Sequence, residues 1–228
     1  MSYQDDFELW KEQIQNLPID EVKLPTLPID DFVASTETLA VDANKDREEL
    51  TAAGMDPTLI DDLVPLSGAL RYCQAQWMSE YRAREDAQRE WLKQSPQAFD
   101  LRDQLLHHFS FAYRDYDDIQ NKVMRIREGG SNADMVQDLV EIASLGDTYP
   151  EPLTAINFEM GLLEQARTVS HNMSELLAAS NGAAGESSEN KRMRDQAYTL
   201  LDGKARIVRE FGRYVFWKDE KRRQRYYA

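Results

Sequence analysis

Apolar residues recur along this chain at steps of three and four, the spacing that lines one face of an α-helix. The rhythm is clearest over residues 96–128, where Leu105, Phe109, Ala112, Tyr116, Ile119, Val123 and Ile126 alternate the two steps without a break. That is the seam of helices packed nearly parallel to one another. An earlier stripe, Leu59, Leu63, Leu66, Leu70, Cys73, Trp77, Tyr81, Arg84, Ala87 and Trp91, predicts a helix from Asp56-Pro57 to about residue 93. Asp is a good cap there, Pro suits the first helical position, and Pro65 predicts a kink. Ser95-Pro96 repeats the start signal and Gly129-Gly130 the stop.

The remaining elements follow from the same spacing. Phe32, Thr36, Leu39, Ala43 and Leu50 predict a helix over 30–53 that Gly54 ends. A short helix is expected over 132–145, then a turn through Gly146–Pro152. The next helix, to about 179, carries Leu153, Ile156, Met160, Leu163, Ala166, Ser170, Met173 and Leu177. Ser180–Ser188 is small and polar and is expected to be a mobile loop. The last helix, over 189–217, should turn Met193, Ala197, Leu200, Ile207, Phe211 and Tyr214 inward. At the other end, Phe7, Leu9, Trp10 and Ile14 predict a short helix over 3–16. Pro18, Pro25 and Pro28 then forbid a continuous helix and favour an extended strap.

No run of β-branched residues alternates with polar ones, so strands are not expected. The expected fold is all-α: an up-and-down antiparallel bundle of four to five long helices with an N-terminal extension. Residues 1–29 would form the short helix and strap, residues 30–228 the bundle domain. Gly54–Val64 aligns with Gly130–Val140 at a constant offset, which reads either as a duplicated helical hairpin or as the common chemistry of helix turns.

Composition fits long exposed helices. Hydrophobic residues make up 42% of the 228 and charged residues 30%, with only 10 Gly and 8 Pro. Formal net charge is −14, but residues 190–228 carry 12 Lys/Arg against five Asp/Glu, so the rest of the chain stands at −21. An acidic body repels phosphate backbones, and nucleic-acid contact would be confined to the basic end. The acidic start has no basic and apolar leader pattern, no stretch is apolar enough to span a bilayer, and Cys73 has no partner for a disulfide. These features point to the cytoplasm and to no membrane insertion.

Chemistry-bearing motifs are scarce. His107 and His108 are adjacent, so they point about 100° apart on a helix, and neither they nor His171 has a Glu three residues before it. The di-metal pattern of helical bundles is therefore missing, as are zinc spacings, phosphate-binding glycine loops and a nucleophile elbow. Cys73 falls on an apolar stripe and reads as packing. Catalytic, metal-binding and cofactor-binding residues are not expected. Asp46 and Arg84 interrupt apolar stripes; they either set helix register or snorkel at the bundle edge, the latter being the expectation.

Two clusters stand out as candidate contact surfaces. Trp77, Tyr81, Phe109, Phe111, Tyr113 and Tyr116 gather aromatic surface on the second and third long helices, fit for a partner or an apolar small molecule. Arg213, Lys218, Lys221, Arg222, Arg223 and Arg225 make a basic, aromatic-interleaved tail. Such a tail can meet nucleic acid or an acidic protein face, but it is expected to lie against this chain's own acidic body, with Phe216 and Trp217 closing the bundle end. The ending Phe211–Arg223, with its Phe-Gly-Arg-Tyr-Val-Phe-Trp-Lys core, resembles the closing motif of uncharacterised helical-bundle proteins from gut bacteria, and the Leu-Pro-x-Leu-Pro strap is similar to theirs. That resemblance implies a helical bundle without an established activity. The expected function is a non-catalytic cytoplasmic interaction or scaffold protein, self-association included. The alternatives are a module holding an apolar small molecule between helices and nucleic-acid contact through the basic tail.

Overall fold

The computed structural model describes residues 2–182 and 188–227, and among them the fold is all-α, with no strand. The first helix, α1 (Tyr3–Gln15), opens on a capping box in which Ser2 and Asp5 satisfy each other's backbone N–H groups. The strap follows, with one 3-10 turn at Ile19–Glu21. The helix expected over 30–53 is two: α2 (Ile29–Lys45) and α3 (Arg47–Ala52), parted where Asp46 leaves helical geometry. Gly54, at φ +96°, ends α3 as expected.

The largest departure is α4 (Thr58–Ala112), a single helix of 55 residues that runs through both Pro65 and Pro96. A proline inside a helix costs about 3 kcal/mol and frees one carbonyl. The freed carbonyls here belong to Asp61 and Leu92, both exposed residues, so each break faces water. On the opposite side Leu63 and Leu66 flank Pro65, and Trp91 and Ala98 flank Pro96, all buried. Burial on the inner face holds the helix through both sites.

The seam expected to be unbroken over 96–128 is interrupted instead. Tyr116 leaves helical geometry, and α5 (Asp117–Arg127) begins after it. Next come α6 (Asn132–Thr148), opened by the Ser131–Asp134 capping box, and α7 (Pro150–Ala155). The helix expected to run to 179 breaks at Asn157, at φ +55°, and resumes as α8 (Gly161–Asn181). Then follow α9 (Glu189–Val215), α10 (Glu220–Arg223) and a 3-10 turn at Gln224–Tyr226. Of the expected mobile loop, Ser180 is helical and Ser188 caps α9; residues 183–187 lie outside the described residues.

The chain divides into two compact units, Met1–Tyr81 with Ala183–Ala228, and Arg82–Gly182. In the first, α9 runs antiparallel to the first part of α4: Lys204 meets Asp62 at 2.9 Å and Ser188 meets Glu80 at 2.7 Å. α2 is antiparallel to α4 as well, with Glu37 on Arg71 at 3.0 Å. The strap is tied down by Gln196 donating to the Leu17 carbonyl and Lys23 N–H donating to Thr199 Oγ1, both at 2.9 Å. In the second unit α6 and α8 are antiparallel: Ser170 Oγ donates to the Val136 carbonyl at 2.7 Å, and at the other end Gly146 lies against Leu163 and Phe109.

Candidate functional site

The six aromatic candidates are divided between the two units, and two of them are core residues. Trp77 and Tyr81 belong to the first unit and the other four to the second. The Arg194 guanidinium stands 4.2 Å over the Trp77 ring and is paired with Asp195 at 2.5 Å. Burial raises that Asp195 carboxyl above the usual range, against the opposing pull of Arg194. Phe109 and Tyr113 are fully buried, and their rings meet edge-on. Tyr113 Oη donates to the Tyr149 carbonyl at 2.8 Å, so a residue placed off the seam by its spacing is a core residue. Tyr116, placed on the seam, is 47% exposed because the chain breaks there. Phe111 is exposed under the guanidinium of Arg114.

An open groove of about 600 Å³ lies instead between α5 and α6. Ile126, Val140 and Leu145 give it an apolar floor, and Tyr149 closes one end. Lys122 on its rim reaches the Tyr149 hydroxyl at 3.1 Å. Spacing did not single out this groove, because its residues come from two helices that sequence periodicity treats separately.

The basic tail is folded back, but only in part. Arg222 grips Asp46 at 2.5 Å and Glu49 at 3.0 Å. Tyr226 is fully buried and donates its hydroxyl to the other Asp46 oxygen at 2.8 Å. Arg213 donates to the Tyr226 carbonyl at 3.0 Å, and Arg223 pairs with Glu220. Asp46 is 3% exposed. It does not snorkel at an edge; its two oxygens hold the C-terminal hook in place. Arg84 is half-buried, and its Nε has no hydrogen-bond partner among the described residues. Lys218 stands over Trp217, while Lys221 and Arg225 are exposed and make no ion pair among the described residues.

Phe216 closes the end of the first core as expected, but Trp217 does not: it is 64% exposed. The same correction applies along α9. Ile207 and Tyr214 were expected to face inward, yet Tyr214 is 72% exposed and Ile207 lies at the surface. The buried stripe is Ala197, Leu201, Ala205, Val208 and Gly212. Ala197 was placed inward as expected; the rest of the signal lay in the small residues Ala205 and Gly212, which let neighbouring chain come close. Periodicity weighted by side-chain size passed over them.

No protein-family model, curated protein or solved structure matches the chain significantly.

Turning α9 by this stripe presents a distinct outer face. At 3.6 residues per turn, Arg206, Arg209 and Arg213 form one row and Ile207 and Tyr214 the row beside it, with the exposed Trp217 just beyond the end of the helix. Arg206 and Arg209 have no ion pair among the described residues, and the Arg209 Nε is buried without a hydrogen-bond partner. Burial lowers the Arg209 guanidinium from the ordinary arginine value, the Asp202 charge opposes that shift, and the nearby Arg213 charge adds a smaller push downward.

Cys73 offers no contrasting chemistry. It is 3% exposed, and burial pushes its thiol up to about 12. Among the described residues no group of three or more His, Cys, Asp or Glu is placed to hold a metal ion, and no helix is long and apolar enough to cross a membrane.

Proposed function

We propose that this protein is a non-catalytic interaction or scaffold protein that works through exposed helix faces. The observation that carries the reading is the outer face of α9 and its C-terminal end, where Tyr214 and Trp217 stand 72% and 64% exposed near arginines that make no ion pair among the described residues. Trp, Tyr and Arg are the residues that concentrate binding energy at protein interfaces. The buried nucleophile and carboxylates support the non-catalytic part: Cys73 is packed, and Asp46, Asp138 and Asp195 are each engaged by an arginine of the same unit. Antiparallel neighbours within each unit support a frame of the up-and-down bundle type, with short helices set between long ones. A cytoplasmic setting suits the lone buried thiol, and kinship with the gut-bacterial helical-bundle proteins rests on the strap and the C-terminal motif.

A photo-crosslinking residue placed at position 214 tests this in cells of the source organism. A discrete adduct with another protein is the expected result; its absence at positions 214 and 217 alike overturns the reading.

The groove between α5 and α6 favours a second reading, a module for a small apolar ligand, since about 600 Å³ is the volume of a small-molecule site. Native mass spectrometry of protein from its own host would reveal a co-purified mass. A clean mass of the chain alone counts against it.

A further inference from the structure

We infer that the outer face of α9 docks an acidic amphipathic helix of a partner protein. This rests on the interaction reading above and names the chemistry of the partner. From Gly203 to Val215 the face runs about 18 Å, roughly three helical turns, and Trp217 lies just past its end. Its two rows lie side by side. Ile207 and Tyr214, two helical turns apart, supply apolar anchors with Trp217 past the helix end, and Arg206, Arg209 and Arg213 supply cations along one flank. At Gly203 a Cβ would meet nothing within 4 Å, so the surface there is open to close approach. Glu210 is the one acid between the rows, and Asp202, one turn before Arg206 on the arginine row, is paired with Lys23 at 2.8 Å.

Charge selects the partner. Arg209 is half-buried, its Nε has no hydrogen-bond partner among the described residues, and Asp202 acts on it only from beyond ion-pair distance, so a closer anion is favourable there. A carboxylate presented beside the apolar row supplies that anion with bidentate geometry. The remainder of the chain carries a net −21 outside residues 190–228. A long polyanion, whether nucleic acid or an anionic bilayer, extends past the face and meets that negative field. A short acidic helix ends where the face ends.

The test is to pan a displayed library of random 16-residue peptides on the full chain. The winners are then measured on an Arg206→Glu/Tyr214→Ala/Trp217→Ala variant, with folding of the variant checked by circular dichroism and thermal melting. Arg206→Gln alone serves as a second, milder variant. The expected winners carry net negative charge with apolar residues at three- and four-residue spacing. They should lose at least ten-fold in affinity on the triple variant and weaken as salt rises from 50 to 300 mM. Neutral or basic winners that still depend on the face overturn the acidic-helix inference and leave the interaction reading standing. Winners that ignore all three residues, or no winners, overturn the inference, and with a failed crosslink at 214 and 217 they remove both. Tighter binding of a mixed 20-nucleotide single strand, or of vesicles rich in phosphatidylserine, through the same residues also overturns it.

Discussion

The ring of Tyr226 occupies the space that a side chain on residue 212 would need: a Cβ built on Gly212 would stand 2.1 Å from the Tyr226 ring. Glycine inside α9 is thus what allows the C-terminal hook to seat. Helix propensity alone predicts that Gly212→Ala stabilises the protein. The packing predicts the opposite, a loss of about 1–3 kcal/mol from overpacking. Gly203→Ala, on the same helix but with open space at its Cβ, should instead gain about 0.5–1 kcal/mol. Opposite shifts in urea midpoint for these two substitutions are the expected outcome.

The hook also depends on Asp46, which receives the Tyr226 hydroxyl and the Arg222 guanidinium on its two oxygens. Tyr226→Phe should cost about 1.5–3 kcal/mol, the value of a hydrogen bond to a charged group. Asp46→Ala should cost more, because it strands a buried hydroxyl. A double-mutant cycle between the two positions, read by denaturant unfolding, should show coupling; additive effects would mean that the buried bond contributes nothing.

In the second unit, burial pushes the Asp138 carboxyl up to about 6, with Asp134 and Glu141 adding to the shift and Arg102 opposing it. The folded protein therefore holds this proton more tightly than the unfolded chain. Stability conferred by the protonated form is present at pH 4 and falls as pH rises through 6, by about 2–3 kcal/mol. Asp138→Asn removes that slope. The melting temperature of the variant relative to the parent should rise between pH 4.5 and 7 and stay level above it.

Cys73 should resist thiol reagents in the folded protein, because its thiol is both buried and held protonated. Labelling at pH 8 is expected only after denaturant is added. Rapid labelling of the native chain would show that the core around α4 opens readily.

Local chemistry was legible in the sequence. The helix starts at residues 3, 58 and 132, the stop at Gly54 and the absence of strand signals depend on neighbours a few residues apart, and spacing reports such neighbours directly. What spacing could not weigh was competition between distant contacts. Ser95-Pro96 carries a start signal, yet burial of Trp91 and Ala98 on the far side keeps α4 continuous. Tyr116 matched the seam, but Tyr113 found the Tyr149 carbonyl and the core. Asp46 looked like an edge residue until the hook arrived from the other end of the chain to share its two oxygens. The outward turn of Tyr214 and Trp217 has the same origin: Gly212 and Ala205 sit against the core because a small residue lets other backbone and rings approach. The order of oily and polar positions therefore determined that the chain forms helices and where many of them start. Which side of α9 meets solvent, and so which residues are available to a partner, was decided only when the ends of the chain packed together.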